Sequence, residues 1–381
     1  MTTQTQKYNI ETIYENRLFK EFCMIRNLKK SSQKSYAVVL NNYTQIQQTS
    51  IDELIQEADD EEEQGIRISK RKIKTRLINY KMKLQEQKLS DRTINDRITK
   101  IRTFYAQFDI TPPKITRNKV KVIETYQHII KPKQIRKAVQ TSKNNKTRAI
   151  ILFMASSGTA AQETSNIKIQ DFIDATREYH QETRIEQVIY ALKHRDDIIP
   201  TWNIIRQKTQ TPYFTFCSPE ATQQILTYLA EELMKRELKP ESKLFNISAQ
   251  SIQTNFERLN DACMFGWKND HCRFFHSHGL RKMFGSRLFD AGLSDLTIDF
   301  LEGRSVGDTK QAYYKPKPDE LKKKYMRVLD KVTFFNNVEY HDITSSEKEE
   351  LIRYREKEKV IDEKIHNMEQ LLNEYMKLSS P

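Results

Sequence analysis

Two basic side chains with helical spacing, His278 and Arg281, open the part of the sequence with the clearest chemical content. Positions three apart on a helix share a face, so this imidazole and guanidinium can reach one point together. A third basic residue, Arg304, follows a Leu-Glu-Gly tripeptide, and Tyr313 and Tyr314 come nine and ten residues later. Guanidinium groups hold phosphate oxygens, and a phenolate can attack phosphorus and carry the phosphate as an ester. The pattern therefore indicates phosphoryl transfer on a phosphodiester, with arginines stabilising the charge that develops.

The same stretch resembles the C-terminal box of the tyrosine recombinases, the phage-integrase family. That box has His-x-x-Arg, then Leu-x-Gly followed by His or Trp, then a nucleophilic tyrosine nine residues on. His278, Arg281 and Tyr313 match in order and spacing, and Arg304 stands where the family usually carries His or Trp. The nine-residue step favours Tyr313 as the nucleophile, and Tyr314 is kept as the alternative.

An earlier segment, residues 156–163, resembles the family segment that carries its first catalytic arginine. Gly158 and Glu163 match that pattern, but Ala160 occupies the arginine position. Losing one preorganised donor commonly lowers a rate by about 10²- to 10³-fold. The resemblance thus implies a weak or inactive cleaver that still binds DNA. Either the natural protein lacks this donor, or the residue was changed to trap a complex.

A β-hairpin is predicted for residues 201–206 and 212–216, where β-branched and aromatic residues flank a polar connection. In the resembled family a lysine on such a hairpin protonates the departing 5′ oxygen. This implies Lys208 as the general acid, with Arg206 as the alternative. Residues 187–192 also alternate and predict a further strand, and the acidic residues 59–65 predict a loop.

The composition favours a polyanionic partner. The 381 residues carry a formal net charge of +13 with a pI near 9.3. The four cysteines lack C-x-x-C spacing, which predicts reduced, buried thiols, and Cys272, His276 and His278 have no second ligand pair that would indicate a metal site. The start of the sequence has no secretory pattern and no apolar run approaches a membrane span, so we expect a cytoplasmic, nucleoid-associated protein. The resemblance implies neither ATP nor a metal, because the ester keeps the bond energy.

Helical periodicity predicts a mainly α protein with a small antiparallel β-sheet in its catalytic domain. The resemblance implies a two-domain, C-shaped DNA clamp with a C-terminal helical extension. We assign residues 1–110 to a helical core-binding domain, 111–131 to a basic linker and 132–335 to the catalytic domain. Residues 343–378 form a predicted long helix with a heptad-like stripe, which indicates a partner helix.

Basic residues outside the box are candidates for DNA-backbone contacts. A dense tract precedes a predicted helix, the Pro-containing connector is also basic, and two arginines lie near the catalytic segments. These candidates are Lys70, Arg71, Lys72, Lys74, Arg76, Lys114, Arg117, Lys119, Lys121, Arg206 and Arg273.

The leading hypothesis is a site-specific recombinase that cuts and rejoins double-stranded DNA through a 3′-phosphotyrosyl link. The resemblance implies a dimer on one site and a tetramer on two. Integration, excision and inversion share this chemistry, and the Ser-Ser-Gly and Tyr-Tyr-Lys-Pro segments look like those of archaeal or archaeal-virus members. Two competing hypotheses are a non-catalytic DNA-binding protein that retains the fold, and a type IB topoisomerase that works as a monomer.

Overall fold

The computed structural model of the chain describes residues 9–120, 126–269, 272–307 and 317–335. By its contacts the chain divides into two compact units, Met1–Ile123 and Glu124–Pro381. Four predicted features lie outside the described residues: Lys121, Tyr313, Tyr314 and the helix expected at 343–378. Among the described helices, none is long and apolar enough to cross a membrane.

The first unit is built from helices that share one apolar core. The helices described there are α1 (Ile10–Glu15), α2 (Arg17–Ile25), α3 (Lys30–Gln47), α4 (Ile51–Glu63), α5 (Lys72–Glu86) and α6 (Asp91–Gln107). Their inward faces bury aromatic rings such as Phe22, Tyr43 and Phe104. Ring pairs across the core stand close, with 5.0 Å between the centroids of Phe22 and Phe104.

The predicted loop at residues 59–65 is wrong, because α4 continues through most of it to Glu63. A capping box of Ser50 and Glu53 starts this helix, and Leu54, Ala58 and Glu61 lie buried along one face. The buried Glu61 carboxylate accepts hydrogen bonds from the backbone N–H of Lys72 at 3.0 and 3.1 Å. The acid is therefore part of the packing between α4 and α5 rather than a sign of a solvated loop.

The described part of the basic connector, residues 111–120, is attached to the first unit. Lys81 of α5 donates to the backbone oxygen of Thr116 at 2.7 Å. The backbone N–H of Asn118 donates to Asn95 of α6 at 2.9 Å. Ile115 packs against the core of this unit. These contacts hold an extended segment along two helices while its lysines and arginine stay exposed.

The second unit combines ten helices with two short hairpins in its described residues. The elements are α7 (Pro132–Thr141), α8 (Asn145–Ser157), α9 (Ala161–Asn166), α10 (Ile169–Ala175), α11 (Ile185–Leu192), β1 (Thr201–Arg206), β2 (Thr211–Phe216), α12 (Pro219–Leu233), α13 (Ala249–Ala262), β3 (Trp267–Asn269), β4 (Cys272–Arg273), α14 (Ser277–Asp290), α15 (Asp295–Leu301) and α16 (Pro318–Met326).

Helix α8 is the central element of this unit. Every residue from Ala149 to Ser157 is buried, and the helix packs against α7, α12 and α14. It is apolar on all sides, as expected for a helix surrounded by other elements. The strand predicted for residues 187–192 is wrong, since this segment belongs to α11. Its buried residues Ile185, Val188, Ile189 and Leu192 follow helical spacing.

The predicted hairpin is confirmed as β1 and β2, which pair antiparallel from Thr201 opposite Phe216 to Arg206 opposite Thr211. Thr215 of β2 donates through Oγ1 to the backbone oxygen of Ser157 at 2.7 Å, which joins the hairpin to the end of α8. The hairpin of β3 and β4 was not predicted, because strands of three and two residues are too short to show alternation. All four cysteines are free thiols; Cys23, Cys217 and Cys263 are buried as predicted, whereas Cys272 is only half-buried.

Candidate active site

The turn between α8 and α9 brings three structural elements together. Gly158 ends α8 with φ +68°, and a Cβ on it would lie 2.4 Å from Cδ1 of Phe284 in α14. Only glycine permits this close approach, which places the Gly158 carbonyl oxygen 3.0 Å from Nη1 of Arg281. Ala160 is the N-cap of α9, and its backbone N–H donates to Oε2 of Glu163 at 2.7 Å. The side chain at the expected arginine position is a methyl group.

Arg281 of α14 lies at the centre of the site and is only 4% exposed. Besides its bond to Gly158, it donates through Nη2 to the backbone oxygen of Glu302. Its Nε lies 3.4 Å from Oε2 of Glu302, and its Nη1 lies 3.9 Å from Oε2 of Glu163. The structure therefore brings together Arg281 and Glu163, two predicted site residues from distant segments.

Glu302 is a site residue that the sequence reasoning missed. Its side chain is fully buried, with Oε2 2.5 Å from Nη2 of Arg304 and Oε1 against the backbone of Gly285. Burial raises the pKa of this carboxyl, while Arg281 and Arg304 act in the opposite direction. The sequence did contain a signal for this residue: Glu302 lies inside the Leu-Glu-Gly-Arg motif, two residues before the predicted Arg304.

Gly303 allows an aromatic ring to pack directly on this turn. It has φ +61°, and a Cβ there would lie 2.4 Å from Cδ1 of Tyr213 in β2. The Tyr213 hydroxyl is buried and makes no hydrogen bond of good geometry among the described residues, although the Arg281 guanidinium lies near it. Burial is the main reason that its pKa is raised, so the phenol stays neutral. Tyr213 was also missed, although its alternation with Thr215 along β2 predicts the same inward face.

Arg206 reaches the same turn from the end of β1. Its Nη1 donates to the backbone oxygen of Gly303 at 2.6 Å and lies 3.4 Å from that of Glu302. Arg206, Arg281 and Arg304, together with Glu302, form what we call the arginine cluster. Lys208, the predicted general acid, lies in the exposed turn that joins β1 to β2.

His278 lies in the first turn of α14, one helical turn before Arg281, with its side chain exposed. Desolvation by surrounding protein atoms is the largest cause that lowers its pKa, followed by the positive charge of Lys282 and by His276. A lowered pKa keeps the imidazole neutral near pH 7, the form that can accept a proton.

The predicted DNA-contacting residues separate into paired and exposed groups. Arg71 pairs with Glu62, Arg76 holds both carboxylate oxygens of Glu57 at 2.8 and 2.9 Å, and Arg273 likewise engages Asp261 at 2.8 and 2.9 Å. These guanidiniums already have carboxylate partners. Lys74 is half-buried, and Lys72 is exposed but lies 3.4 Å from a carboxylate oxygen of Glu57. The exposed residues outside the described ion pairs are Lys70, Lys114, Arg117 and Lys119.

Comparison with known proteins finds similarity in structure rather than in sequence. No family model matches the sequence, and no curated protein matches it significantly. The chain is similar to the Tn1549 transposon integrase in complex with transposon right end DNA, at 14% identity and a TM-score of 0.51, over 82% of this chain and 98% of that chain. It also matches a lambda integrase dimer bound to a core site (14% identity, TM-score 0.43, 78% and 93% covered). A third match is the XerH site-specific recombinase bound to its difH substrate (14% identity, TM-score 0.48, 80% and 82% covered).

The similarity to the Tn1549 integrase shows that the chain has the fold of the tyrosine recombinases. The predicted fold class, mainly helical with a small antiparallel sheet, is confirmed. At 14% identity the similarity concerns the fold alone. What this chain does must therefore be argued from its own side chains.

Proposed function

We propose that this protein is a site-specific DNA recombinase that cuts and rejoins double-stranded DNA through a tyrosyl intermediate. The observation that carries the proposal is the arrangement of Arg281 and Arg304, which come from two separate motifs and flank one buried carboxylate, Glu302. Two guanidiniums so placed can hold the non-bridging oxygens of one phosphate. The Tn1549 integrase, which has the same fold, is in complex with DNA.

In the proposed reaction the hydroxyl oxygen of Tyr313 attacks the scissile phosphorus. The new P–O bond to tyrosine forms as the bond to the 5′ oxygen breaks, which leaves a 3′-phosphotyrosyl link and a free 5′ hydroxyl. His278, neutral because its pKa is lowered, takes the tyrosine proton, and Lys208 gives a proton to the departing 5′ oxygen. Arg281 and Arg304 stabilise the charge on the pentacoordinate phosphorus.

The assembly follows from the chemistry that we propose. Exchange of strands requires two duplexes, and hence a dimer on each site and a tetramer on the pair. Mass measurement of the protein with a DNA site will separate this from a type IB topoisomerase, which would act as a monomer. A particle containing one protein chain per cleaved duplex at all concentrations would favour the topoisomerase.

The experiment that tests the function is covalent capture. Preferred duplexes are first selected from a random library by binding to the full chain. They are then nicked near the cleavage position, so that the released fragment diffuses away and the adduct accumulates. We expect a denaturant-resistant protein–DNA band from the full chain, lost in Tyr313→Phe and retained in Tyr314→Phe.

Ala160→Arg is the variant that separates a weak recombinase from a pure binder. If Ala160 impairs catalysis, this variant will raise the adduct rate by up to about 10²- to 10³-fold. A full chain and an Ala160→Arg variant that both bind the selected duplex, yet give no adduct, would assign the protein as a non-catalytic DNA-binding protein.

A further inference from the structure

The candidate active site contains one more guanidinium than the predicted motifs supply. Arg281 and Arg304 come from the C-terminal box, whereas Arg206 comes from the hairpin and still reaches the same turn. At Ala160, where the matching pattern has an arginine, the chain offers only a methyl group and a backbone N–H that is already bonded to Glu163. The site therefore lacks a cation at one position and holds an additional one at another.

The anchoring of Arg206 leaves most of its donors available. A guanidinium has five N–H groups, and here only Nη1 is engaged, with the backbone oxygens of Gly303 and Glu302. Within the described parts of the chain, Nε and Nη2 of Arg206 have no acceptor. The side chain is half-buried, so its position is fixed while one edge of the fork remains accessible.

The charge balance of the cluster also sets Arg206 apart. Arg281 lies beside Glu302 and Glu163, and Arg304 lies beside Glu302 and Asp299 at 2.5 and 3.4 Å. Among the described residues, no carboxylate stands within ion-pair distance of Arg206. An incoming phosphate would have to compete with carboxylates for the other two guanidiniums, but not for this one.

We propose that Arg206 is a catalytic residue that binds the scissile phosphate in place of the arginine missing at Ala160. The inference rests on the proposed function and adds a specific role to it. Arg206 holds a non-bridging oxygen through Nε and Nη2, while its Nη1 bond to Gly303 fixes the guanidinium beside Arg281. The Tyr213 ring packs on Gly303 and supports the same turn.

The test is a double-variant experiment on the full chain with the selected nicked duplex. Adduct formation is followed in single turnover for the unchanged protein, Arg206→Ala, Ala160→Arg and the double variant. We expect Arg206→Ala to slow the reaction by about 10²- to 10³-fold, and Ala160→Arg to restore most of that loss in the double variant. Arg206→Lys, which keeps the charge but loses the fork, should fall between.

A second substrate distinguishes phosphate binding from proton donation. In a duplex with a sulfur in place of the bridging 5′ oxygen, the departing thiolate needs no proton, so loss of a general acid is rescued. We expect Lys208→Ala to recover on this duplex and Arg206→Ala to remain slow. Recovery of Arg206→Ala would overturn the proposal and make Arg206 the general acid.

The remaining outcomes are equally decisive. An Arg206→Ala rate within threefold of the unchanged protein, or a double variant that stays slow while Ala160→Arg alone is fast, would refute the replacement. An adduct that forms with the Ala160→Arg variant and not with the unchanged protein would also refute the proposal, because Arg206 would then not replace the missing arginine. If neither the unchanged protein nor Ala160→Arg forms an adduct, the proposed function itself fails. Ile205→Ala, at an exposed neighbouring position, is the control for hairpin folding, with urea unfolding measured for every variant.

Discussion

Arg281 combines burial with hydrogen bonds from both terminal nitrogens of its guanidinium. A buried arginine is tolerated only where its donors are satisfied, and Gly158 and Glu302 provide acceptors from two different turns. Truncation of Arg281 would therefore leave two backbone oxygens without their donor and remove one of the two cations beside the Glu302 carboxylate. Its loss should affect folding as well as chemistry, which makes it a poor single test of the reaction.

For a single residue, His278, we predict the direction in which its pKa is shifted. Because desolvation and neighbouring cations lower its pKa, its imidazole should titrate below the usual 6.5 in the free protein, so that it is neutral at pH 7. Lys282→Ala removes the positive charge with the largest effect on this pKa and should move the titration upward, towards 6.5. The measurement is NMR of ¹³C-labelled histidines, with His278→Gln assigning the signal. A midpoint at or above 6.5 in the unchanged protein, or no movement in Lys282→Ala, would contradict the electrostatic account.

At the scale of elements, the site is assembled by close approaches that two glycines permit. Gly158 lets α14 meet the end of α8, and Gly303 lets the Tyr213 ring of β2 lie on the turn after α15. Both have positive φ, where a side chain adds strain. The distances between the functional side chains therefore depend on positions that carry no functional group.

Gly303→Ala is predicted to destabilise the second unit more than a glycine substitution that adds strain alone. The new methyl group meets the Tyr213 ring, and the positive φ adds its own cost, so we expect a loss of about 2 to 5 kcal/mol in the free energy of unfolding. Gly292→Ala is the matched control, since Gly292 has φ +86° and an added Cβ would meet no atom within 4 Å; it should cost about 1 to 2 kcal/mol.

Urea unfolding followed by tryptophan fluorescence measures this difference. Both tryptophans, Trp202 and Trp267, belong to the second unit, and Trp202 is fully buried. The signal therefore reports on the unit that contains Gly303. Equal losses in the free energy of unfolding for Gly303→Ala and Gly292→Ala would show that the clash with the Tyr213 ring contributes nothing.

In the whole molecule, the net charge is +13, but only some of the basic residues are free of carboxylate partners among the described ion pairs. Arg71, Arg76 and Arg273 are held by carboxylates of their own unit, and the hydrogen bonds from Arg76 are the main cause that lowers the pKa of Glu57. The exposed connector residues remain the better candidates for phosphate contacts, because none of the ion pairs among the described residues involves them. This stays a prediction.

Replacing Lys114, Arg117 and Lys119 together with alanine should weaken the salt dependence of DNA binding. Each lost phosphate contact lowers the slope of log K against log salt by about 0.9, so three contacts correspond to about 3. The measurement is fluorescence anisotropy with a labelled random-sequence duplex over a range of salt. A variant with Lys83→Ala and Lys88→Ala, two exposed lysines of the same unit, is the control. An unchanged slope in the connector variant would remove this segment from the interface.

From the sequence alone, the kind of chemistry can be predicted, and it stays a proposal, whereas most of the predicted secondary structure is confirmed. The chemistry was predicted from side-chain types at short fixed spacings, as in His278 and Arg281. The secondary structure was predicted from local periodicity, as in the hairpin and the helices of the first unit. Two local patterns led to wrong predictions. Residues 187–192 alternate over a short window, yet their buried positions have helical spacing. The acid-rich end of α4 was predicted as a loop but is helical, because Glu61 is buried against α5.

Which side chains meet at the candidate site depends on tertiary packing. Glu302, Tyr213 and Arg206 meet at one turn because α15, β1 and β2 pack together with α14, and no local pattern encodes that meeting. The same holds for Arg76, whose charge is matched by Glu57 of another helix. Spacing along the chain reports neighbours within one helix or strand, whereas contacts between elements depend on the packing of the complete core.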